Sequence, residues 1–208
     1  MRKVLAVVMI LAVCSVCEAK GRFVDFPTVG MCTGDYVRYR AKPNTNADIR
    51  GRMYTGEKVI VDGMTSVNGE TWYEILPPNA QDSAFISGKY MTPYYDEDMQ
   101  KSPAGRLIVE VLQTYAPRED YDYYNEYDDS PEVKRKYRDG WLARVEAWNQ
   151  GSYFGEIEIG DRVSKLNQIL GEPDSSSKSQ YRYSARDYAT FTFKIEDGKI
   201  TRMIYEEH

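Results

Sequence analysis

Four aromatic residues in the N-terminal half of the sequence are candidates for a binding surface: Tyr54, Trp72, Tyr90 and Tyr94. Rigid aromatic rings supply a large contact area at a small entropic cost, so these side chains could line a groove for a peptide or a glycan. The alternative is structural, because Trp72 and Tyr90 could instead fill the core of a small β-domain. The sequence supports both interpretations, and we predict the four positions as ligand-binding residues.

The residue types that most enzymes need are scarce. The single histidine, His208, is the last of the 208 residues, so a Ser-His-Asp triad, a Cys-His dyad or a His-ligated metal site lacks its central residue. Carboxylates are abundant, but nothing selects a pair for a glycosidase. The run 175–178 contains Ser-x-x-Lys without the partner motifs of that chemistry, and no nucleotide-binding glycine motif is present. We therefore predict a binding protein that is not an enzyme and uses no cofactor or metal.

Residues 1–19 have the organisation of a secretory signal peptide: two basic residues, an apolar run over 4–13 and small residues before a cleavage site after Ala19. The apolar run is too short to span a bilayer, so we expect no membrane span in the mature chain. Acylation at Cys14 is the alternative. We expect an exported protein, periplasmic or extracellular, that is associated with the cell envelope.

The net charge and the number of cysteines exclude further classes of partner and of covalent link. The net charge is −5 at pH 7, and a chain this acidic is a poor partner for nucleic acid. Removal of the leader leaves Cys32 alone, so an intrachain disulfide is excluded. No cation flanks Cys32, which favours an inert buried thiol over a nucleophile or a bridge between chains. The oligomeric state stays open.

Residues 35–95 show the pattern of short β-strands separated by turns, and we place the N-terminal domain at 22–95. Residues 36–40 alternate between polar and apolar, and Lys58-Val59-Ile60-Val61 has the composition of a strand. Asn68-Gly69 lies between two strand patterns and predicts a tight hairpin, because both turn positions must accept positive φ. About five strands in this length predict a small barrel, whose closure would remove open sheet edges.

This region resembles the bacterial SH3 domain over about 34–93. The family's sequence segments recur here in the same order. They are an arginine-containing strand followed by a loop with a proline (36–43), a glycine at the entry to a strand (54–59), a strand with Trp-Tyr (72–75) and a final strand (84–91). The resemblance implies an SH3-like β-barrel that recognises peptidoglycan stem peptide or another wall component. It also implies that Arg40 ties loop carbonyls or a carboxylate and does not contact a ligand.

We expect a helical and acidic, tyrosine-rich connector over 96–130. Apolar residues at helical spacing follow Ser102-Pro103, where Ser102 can cap the helix and proline is tolerated at the first position. Residues 119–129 are acidic and aromatic without strand or helix period, which favours a solvated linker. A Ca²⁺ site is the alternative, although the spacing of an EF-hand loop is absent. The tyrosines could also pack over a domain junction or present a protein-binding face.

The region 131–208 is predicted as a small α+β domain. A helix is expected over 131–148, with Gly140 as a kink, and a short helix from a cap at Asp161 to Gly171. Three antiparallel strands should follow, with Asp197-Gly198 as a turn. Residues 156–206 resemble the helix-then-three-strands unit of the outer-membrane assembly lipoprotein family (SmpA/OmlA) and of β-lactamase-inhibitor-like domains. That resemblance implies a scaffolding or inhibiting role.

Together these patterns predict a mainly β, α+β protein in which an SH3-like barrel precedes a helical connector and a helix packed on a three-stranded sheet. We expect a non-catalytic cell-envelope protein whose barrel binds peptidoglycan or a wall-associated ligand. The alternative is a periplasmic adaptor or inhibitor that binds another envelope protein through its C-terminal domain. The sequence does not identify the ligand.

Overall fold

The computed structural model describes residues 22–77, 82–116, 127–129, 133–138 and 140–208. The predicted signal peptide with Cys14, and nearly all of the acidic segment 119–129 with its candidate Ca²⁺ site, lie outside these ranges. Two seven-stranded antiparallel sheets dominate the described chain. Among the helices of the described residues, none is long and apolar enough to cross a bilayer.

The N-terminal sheet has the strand order β3-β2-β6-β5-β4-β1-β7. Its strands are β1 (Thr28–Cys32), β2 (Val37–Arg40), β3 (Ile49–Met53), β4 (Lys58–Val67), β5 (Glu70–Leu76), β6 (Ala84–Ser87) and β7 (Met91–Pro93). Side chains from all seven strands meet in one buried cluster, so the sheet is rolled around a single core. The cluster comprises Phe23, Cys32, Val37, Met53, Val59, Val61, Ile75, Ala84, Ile86 and Met91.

Two details of this sheet differ from the sequence prediction. It has seven strands where about five were predicted, since β1 precedes the region in which strand patterns were recognised. The predicted closure is wrong, because in the described residues no ladder joins β3 to β7 and both remain edge strands. The Asn68-Gly69 hairpin is confirmed: Asn68 and Gly69 have φ of 53° and 79° and join β4 to β5.

The C-terminal sheet has the order β13-β14-β15-β16-β10-β9-β8. Its strands are β8 (Tyr127–Asp129), β9 (Val133–Arg138), β10 (Trp141–Ala147), β13 (Ser175–Ser177), β14 (Gln180–Ala185), β15 (Ala189–Glu196) and β16 (Lys199–Glu207). A short hairpin of β11 (Tyr153–Phe154) and β12 (Ile157–Glu158) and the helix α3 (Val163–Leu170) lie between β10 and β13. The three predicted strands are present as β14, β15 and β16, inside a larger sheet than the three-stranded one expected.

The helix predicted over 131–148 is wrong, because these residues form the antiparallel hairpin β9–β10. Gly140 has φ of 75° and lies in the turn between the two strands. A right-handed helix cannot contain that conformation, whereas a tight hairpin turn requires it. The predicted linker also differs at its end, since Tyr127–Asp129 pair with β9 as strand β8.

The predicted helix after Ser102 is confirmed as α2 (Pro103–Tyr115), preceded by the short helix α1 (Glu97–Lys101). The Ser102 hydroxyl accepts a hydrogen bond from the Gly105 amide at 2.9 Å and caps α2. The predicted cap of α3 is one residue off, because the capping position is Arg162 and makes no side-chain hydrogen bond. The Asp161 carboxylate instead pairs with Lys165 at 2.8 Å.

Helix α2 packs inside the molecule and is not an exposed connector. Its buried residues Ile108 and Leu112 share a core with Phe191 and Tyr205 of the C-terminal sheet. Val29 of β1 and residue Ile60 of β4 belong to the same core. The outer side of the N-terminal sheet at β1 and β4 is therefore covered by α2, whereas β2 and β3 lie on the side with many exposed residues.

Candidate binding surface

The outward side of the β2–β3 hairpin carries two tyrosines and three arginines. Val37 and Met53 lie opposite each other and are buried in the core. Because side chains alternate across a strand, the residues on either side of Val37 and of Met53 face solvent. Arg50 is exposed as well and lies at an irregularity of the strand pairing, where it has no register partner. We call this surface the β2–β3 outer face, and it is formed by Tyr36, Arg38, Arg50, Arg52 and Tyr54, all exposed.

Tyr36 and Tyr54 form an aromatic pair at one end of this face. Their ring centroids lie 5.9 Å apart in an edge-to-face arrangement, and the Arg52 guanidinium carbon lies 4.5 Å above the Tyr36 ring. Tyr36 has φ of 58°, which is uncommon for a bulky residue and costs conformational energy. Such backbone strain concentrates at binding sites, which draws attention to this residue.

The turn that presents Tyr54 is fixed by hydrogen bonds. The Glu57 carboxylate accepts a hydrogen bond from the Tyr54 amide at 2.8 Å. The Gly56 amide donates to the Cys32 carbonyl at 2.8 Å, and the Cys32 amide donates to the Glu57 carbonyl at 2.8 Å. Because the turn is tied to β1 on both sides, Tyr54 is held in place without a ligand, which lowers the entropic cost of binding.

Tyr90 lies beside the same end of the domain. Its carbonyl accepts a hydrogen bond from the Thr33 amide at 2.9 Å. Its ring lies against Gly34, where an added Cβ would approach the Tyr90 Cδ1 to 2.8 Å. The side chains of Tyr36, Tyr54 and Tyr90 are 52%, 45% and 44% exposed. Two of the four predicted binding residues thus present accessible rings.

The three arginines of the outer face lie close together on the β2–β3 hairpin. Arg38 and Arg52 are directly opposite each other on β2 and β3, and Arg50 precedes Arg52 by two residues. Within the described residues, no ion pair or hydrogen bond joins any of the three to an acidic side chain. Like charges opposite each other in a sheet are destabilising, so this arrangement is unfavourable in the free protein.

Arg40 behaves differently from its neighbours. Its guanidinium Nη1 donates a hydrogen bond to the Ala47 carbonyl at 2.7 Å across the loop between β2 and β3. The predicted role of Arg40, a tie to a loop carbonyl, is confirmed. The loop that carries Pro43 is thereby held against β2.

The other two predicted binding residues lie elsewhere. Trp72 is on β5, opposite Thr65 and Ser87, and is only 3% exposed. Tyr94 is partly buried at the junction with the C-terminal sheet, where its ring contacts Tyr95 and Tyr188 at centroid distances of 5.1 and 5.5 Å. Their role in binding stays a prediction, and neither belongs to the β2–β3 outer face.

The junction contains a buried ion pair next to Tyr94. Lys58 Nζ lies 2.5 Å from a Glu207 carboxylate oxygen, with side chains 21% and 4% exposed, and 4.5 Å from the Tyr94 ring centroid. Burial raises the pKa of Glu207, and the bond from Lys58 opposes that shift only in part. Burial also raises the pKa of Tyr95 well above its usual value. The Lys58 ammonium group is therefore paired with the Glu207 carboxylate of the same chain.

Cys32 lies in the core beneath the Tyr54 turn. The thiol is buried and free, and it donates a hydrogen bond to the Gly34 carbonyl at 3.2 Å. Desolvation raises the pKa of the Cys32 thiol, which keeps it in the unreactive protonated form. The expectation of a buried thiol is confirmed.

The N-terminal sheet is rolled around one buried core and presents an exposed face of tyrosine and arginine side chains. Residues 34–92 match the family model described as "Bacterial SH3 domain", so the chain contains a domain of this family. The match spans β2 to β7, including every residue of the β2–β3 outer face, and does not extend into the C-terminal sheet. No curated protein and no solved structure matches the chain significantly.

The sequence prediction missed Tyr36 and the three arginines. The signal was present, because positions 36 and 38 on one strand and 50, 52 and 54 on the next alternate with apolar or small residues. The pairing of β2 with β3 was not predicted, and this pairing brings the residues of both strands onto one face.

Proposed function

We propose that this protein is an exported, non-catalytic binding protein of the bacterial cell envelope whose SH3 domain binds peptidoglycan or a wall-associated ligand. Bacterial SH3 domains commonly bind such ligands. The observation that carries the proposal is the exposed ring pair of Tyr36 and Tyr54, with the exposed Tyr90 at the same end of the domain. Exposed aromatic rings held in a fixed arrangement are suited to sugar rings and to the methyl groups of wall peptides.

Three further observations support a binding role for this end of the domain. The Tyr54 turn is fixed before any ligand arrives, and Tyr36 holds a strained backbone conformation. The opposite side of the domain, at β1 and β4, is already covered by α2. A ligand that meets the domain from solvent therefore has the β2–β3 side available to it.

The test is co-sedimentation of the chain lacking residues 1–19 with purified peptidoglycan sacculi. We expect the wild type to pellet with sacculi and Tyr54→Ala to lose about tenfold in affinity, the equivalent of about 1.4 kcal/mol. Tyr153→Ala is the matched control, because Tyr153 is an equally exposed tyrosine, 48% accessible, in the C-terminal part. Failure of the wild type to pellet, or equal pelleting of both variants, would refute the proposal.

A second proposal is an adaptor or inhibitor that acts through the C-terminal sheet, and it rests on the resemblance of residues 156–206 to the SmpA/OmlA unit. A fragment 131–208 is unsuitable for its test, because it lacks α2, which lies in the core of that sheet. The whole chain without residues 1–19 should instead serve as bait in an envelope extract. Capture of the same partner by wild type and Tyr54→Ala supports the adaptor role, and loss of capture in Tyr54→Ala contradicts it.

A further inference from the structure

The arginines of the β2–β3 outer face require an explanation beyond the tyrosines. The chain is acidic overall, yet Arg38, Arg50 and Arg52 are grouped on one side of one hairpin. No acidic side chain of the described residues pairs with them. Charged residues on an edge strand also discourage aggregation, but one or two charges suffice for that, and Arg38 is on the inner neighbour β2.

The junction shows a comparable arrangement, a cation beside a tyrosine ring, and there the cation also has a carboxylate partner. There a cation lies 4.5 Å from a tyrosine ring and binds the carboxylate of Glu207. On the outer face, Arg52 lies at the same 4.5 Å from the Tyr36 ring, but no acidic side chain in the described part of the chain pairs with it. The outer face is therefore complementary to a carboxylate supplied by another molecule.

Resting on the proposed function, we propose that Arg38, Arg50 and Arg52 bind the free carboxylates of peptidoglycan stem peptides. A guanidinium group matches a carboxylate through two parallel hydrogen bonds. Strand neighbours lie about 5 Å apart, so Arg38 and Arg52 can approach one carboxylate from two sides. The bound anion would also relieve the repulsion between the two arginines.

A stem peptide fits this face better than a phosphate polymer does. Stem peptides combine carboxylates with alanine methyl groups over a few residues, and the face combines guanidinium groups with the rings of Tyr36 and Tyr54. A polyol phosphate would satisfy the arginines but would offer the rings neither methyl groups nor the apolar face of a sugar ring. The rings therefore distinguish the two anions, because they favour apolar neighbours.

The test compares native sacculi with sacculi whose carboxylates have been amidated, using the chain lacking residues 1–19. We expect amidation to reduce wild-type pelleting about tenfold or more, and R38Q/R52Q to lose a similar factor on native sacculi. The control R182Q/K178Q removes the same charge from exposed positions of the C-terminal sheet. It should pellet as the wild type does, at both low and physiological salt.

The outcomes separate this inference from the proposed function. If the wild type pellets and Tyr54→Ala does not, while R38Q/R52Q and amidation have no effect, the carboxylate inference is refuted and the wall-binding proposal stands. If pelleting instead disappears after hydrogen fluoride removes phosphodiester-linked polymers, the anion is a phosphate and the inference is wrong. If the wild type does not pellet with any of the sacculus preparations, the carboxylate inference and the wall-binding proposal are both refuted. Circular dichroism of each variant checks that the fold is retained.

Discussion

The SH3 domain carries a cation beside a tyrosine ring on each of two sides. At the junction Lys58 lies 4.5 Å from the Tyr94 ring, and on the outer face Arg52 lies 4.5 Å from the Tyr36 ring. The first cation is paired with the buried Glu207, and the second has no acidic partner among the described residues. One arrangement is thus complete within the chain and joins two sheets, whereas the other is open to solvent.

This difference separates aromatic residues that are covered inside the protein from those that stay exposed. Tyr94 and Tyr95 are covered by Tyr188 of the C-terminal part, so their ring faces are used inside the protein. Tyr36 and Tyr54 contact mainly each other and Arg52. The same residue type therefore packs inside the junction on one side and is exposed to solvent on the other.

The largest effect is expected from Lys58→Ala. Removal of Lys58 leaves the Glu207 carboxylate buried without its cation, which costs about 3 kcal/mol of unfolding free energy, at the lower end for buried pairs because a fifth of the Lys58 side chain is exposed. Arg52→Ala, its counterpart on the outer face, should change stability by less than about 0.5 kcal/mol. Urea unfolding of the two variants measures both values.

A double variant tests whether the loss comes from the unpaired charge. Lys58→Met combined with Glu207→Leu removes both charges and keeps the apolar volume, so its stability should return to within about 1 kcal/mol of the wild type. If Lys58→Ala and Arg52→Ala destabilise equally, the two sides do not differ in the way described. If the double variant is as unstable as Lys58→Ala, packing and not charge accounts for the loss.

The pH dependence of stability provides a smaller effect at the same site. Burial raises the pKa of Glu207 above its ordinary value of 4.5, so the folded protein holds this proton to a higher pH than the unfolded chain does. Between the two pKa values folding takes up a proton, and stability therefore falls as pH rises. The unfolding free energy of wild type minus that of Glu207→Gln should decrease as pH is raised above 4.5.

The difference isolates Glu207 from Glu110, whose pKa is also raised by burial. A difference that increases with pH would show that attraction to Lys58 outweighs the desolvation of Glu207. Arg52→Gln offers the comparison on the outer face, where no acidic side chain of the described residues pairs with the arginine. Its stability relative to wild type should not change with pH across the same range.

Local turn signals were the most informative part of the sequence for the fold. Asn68-Gly69 predicted the β4–β5 hairpin, and Ser102-Pro103 predicted the start of α2. The sequence contains an equivalent signal at Asp139-Gly140, but the apolar residues of 131–148 also fit a helical period, and the helix was predicted. The φ of 75° at Gly140 shows that the turn residue should have taken precedence over the periodicity.

The candidate binding surface was predictable only in part because it depends on contacts between distant segments. Tyr54 and Tyr90 were identified from residue type, yet burial of Trp72 and the position of Tyr94 at the junction depend on how the C-terminal sheet and α2 cover the domain. The partner of Lys58 is 149 residues away in sequence. No local pattern relates such residues, so a sequence of this kind indicates candidate rings but not which of them remain exposed.

The smallest expected effect is on the stability of R38Q/R52Q in the absence of a ligand. Arg38 and Arg52 are directly opposite each other, and replacing like charges at opposed positions removes a repulsion of a few tenths of a kcal/mol, screened further by solvent. The variant should therefore be as stable as the wild type or more stable by up to about 0.5 kcal/mol, with the gain largest at low salt. Thermal unfolding at two ionic strengths measures this gain.

A loss of stability would mean that the arginines stabilise the fold, which would remove the reason to assign them to a ligand. A gain, together with weaker binding to sacculi, would show that the domain retains an unfavourable pair of charges because its ligand requires them.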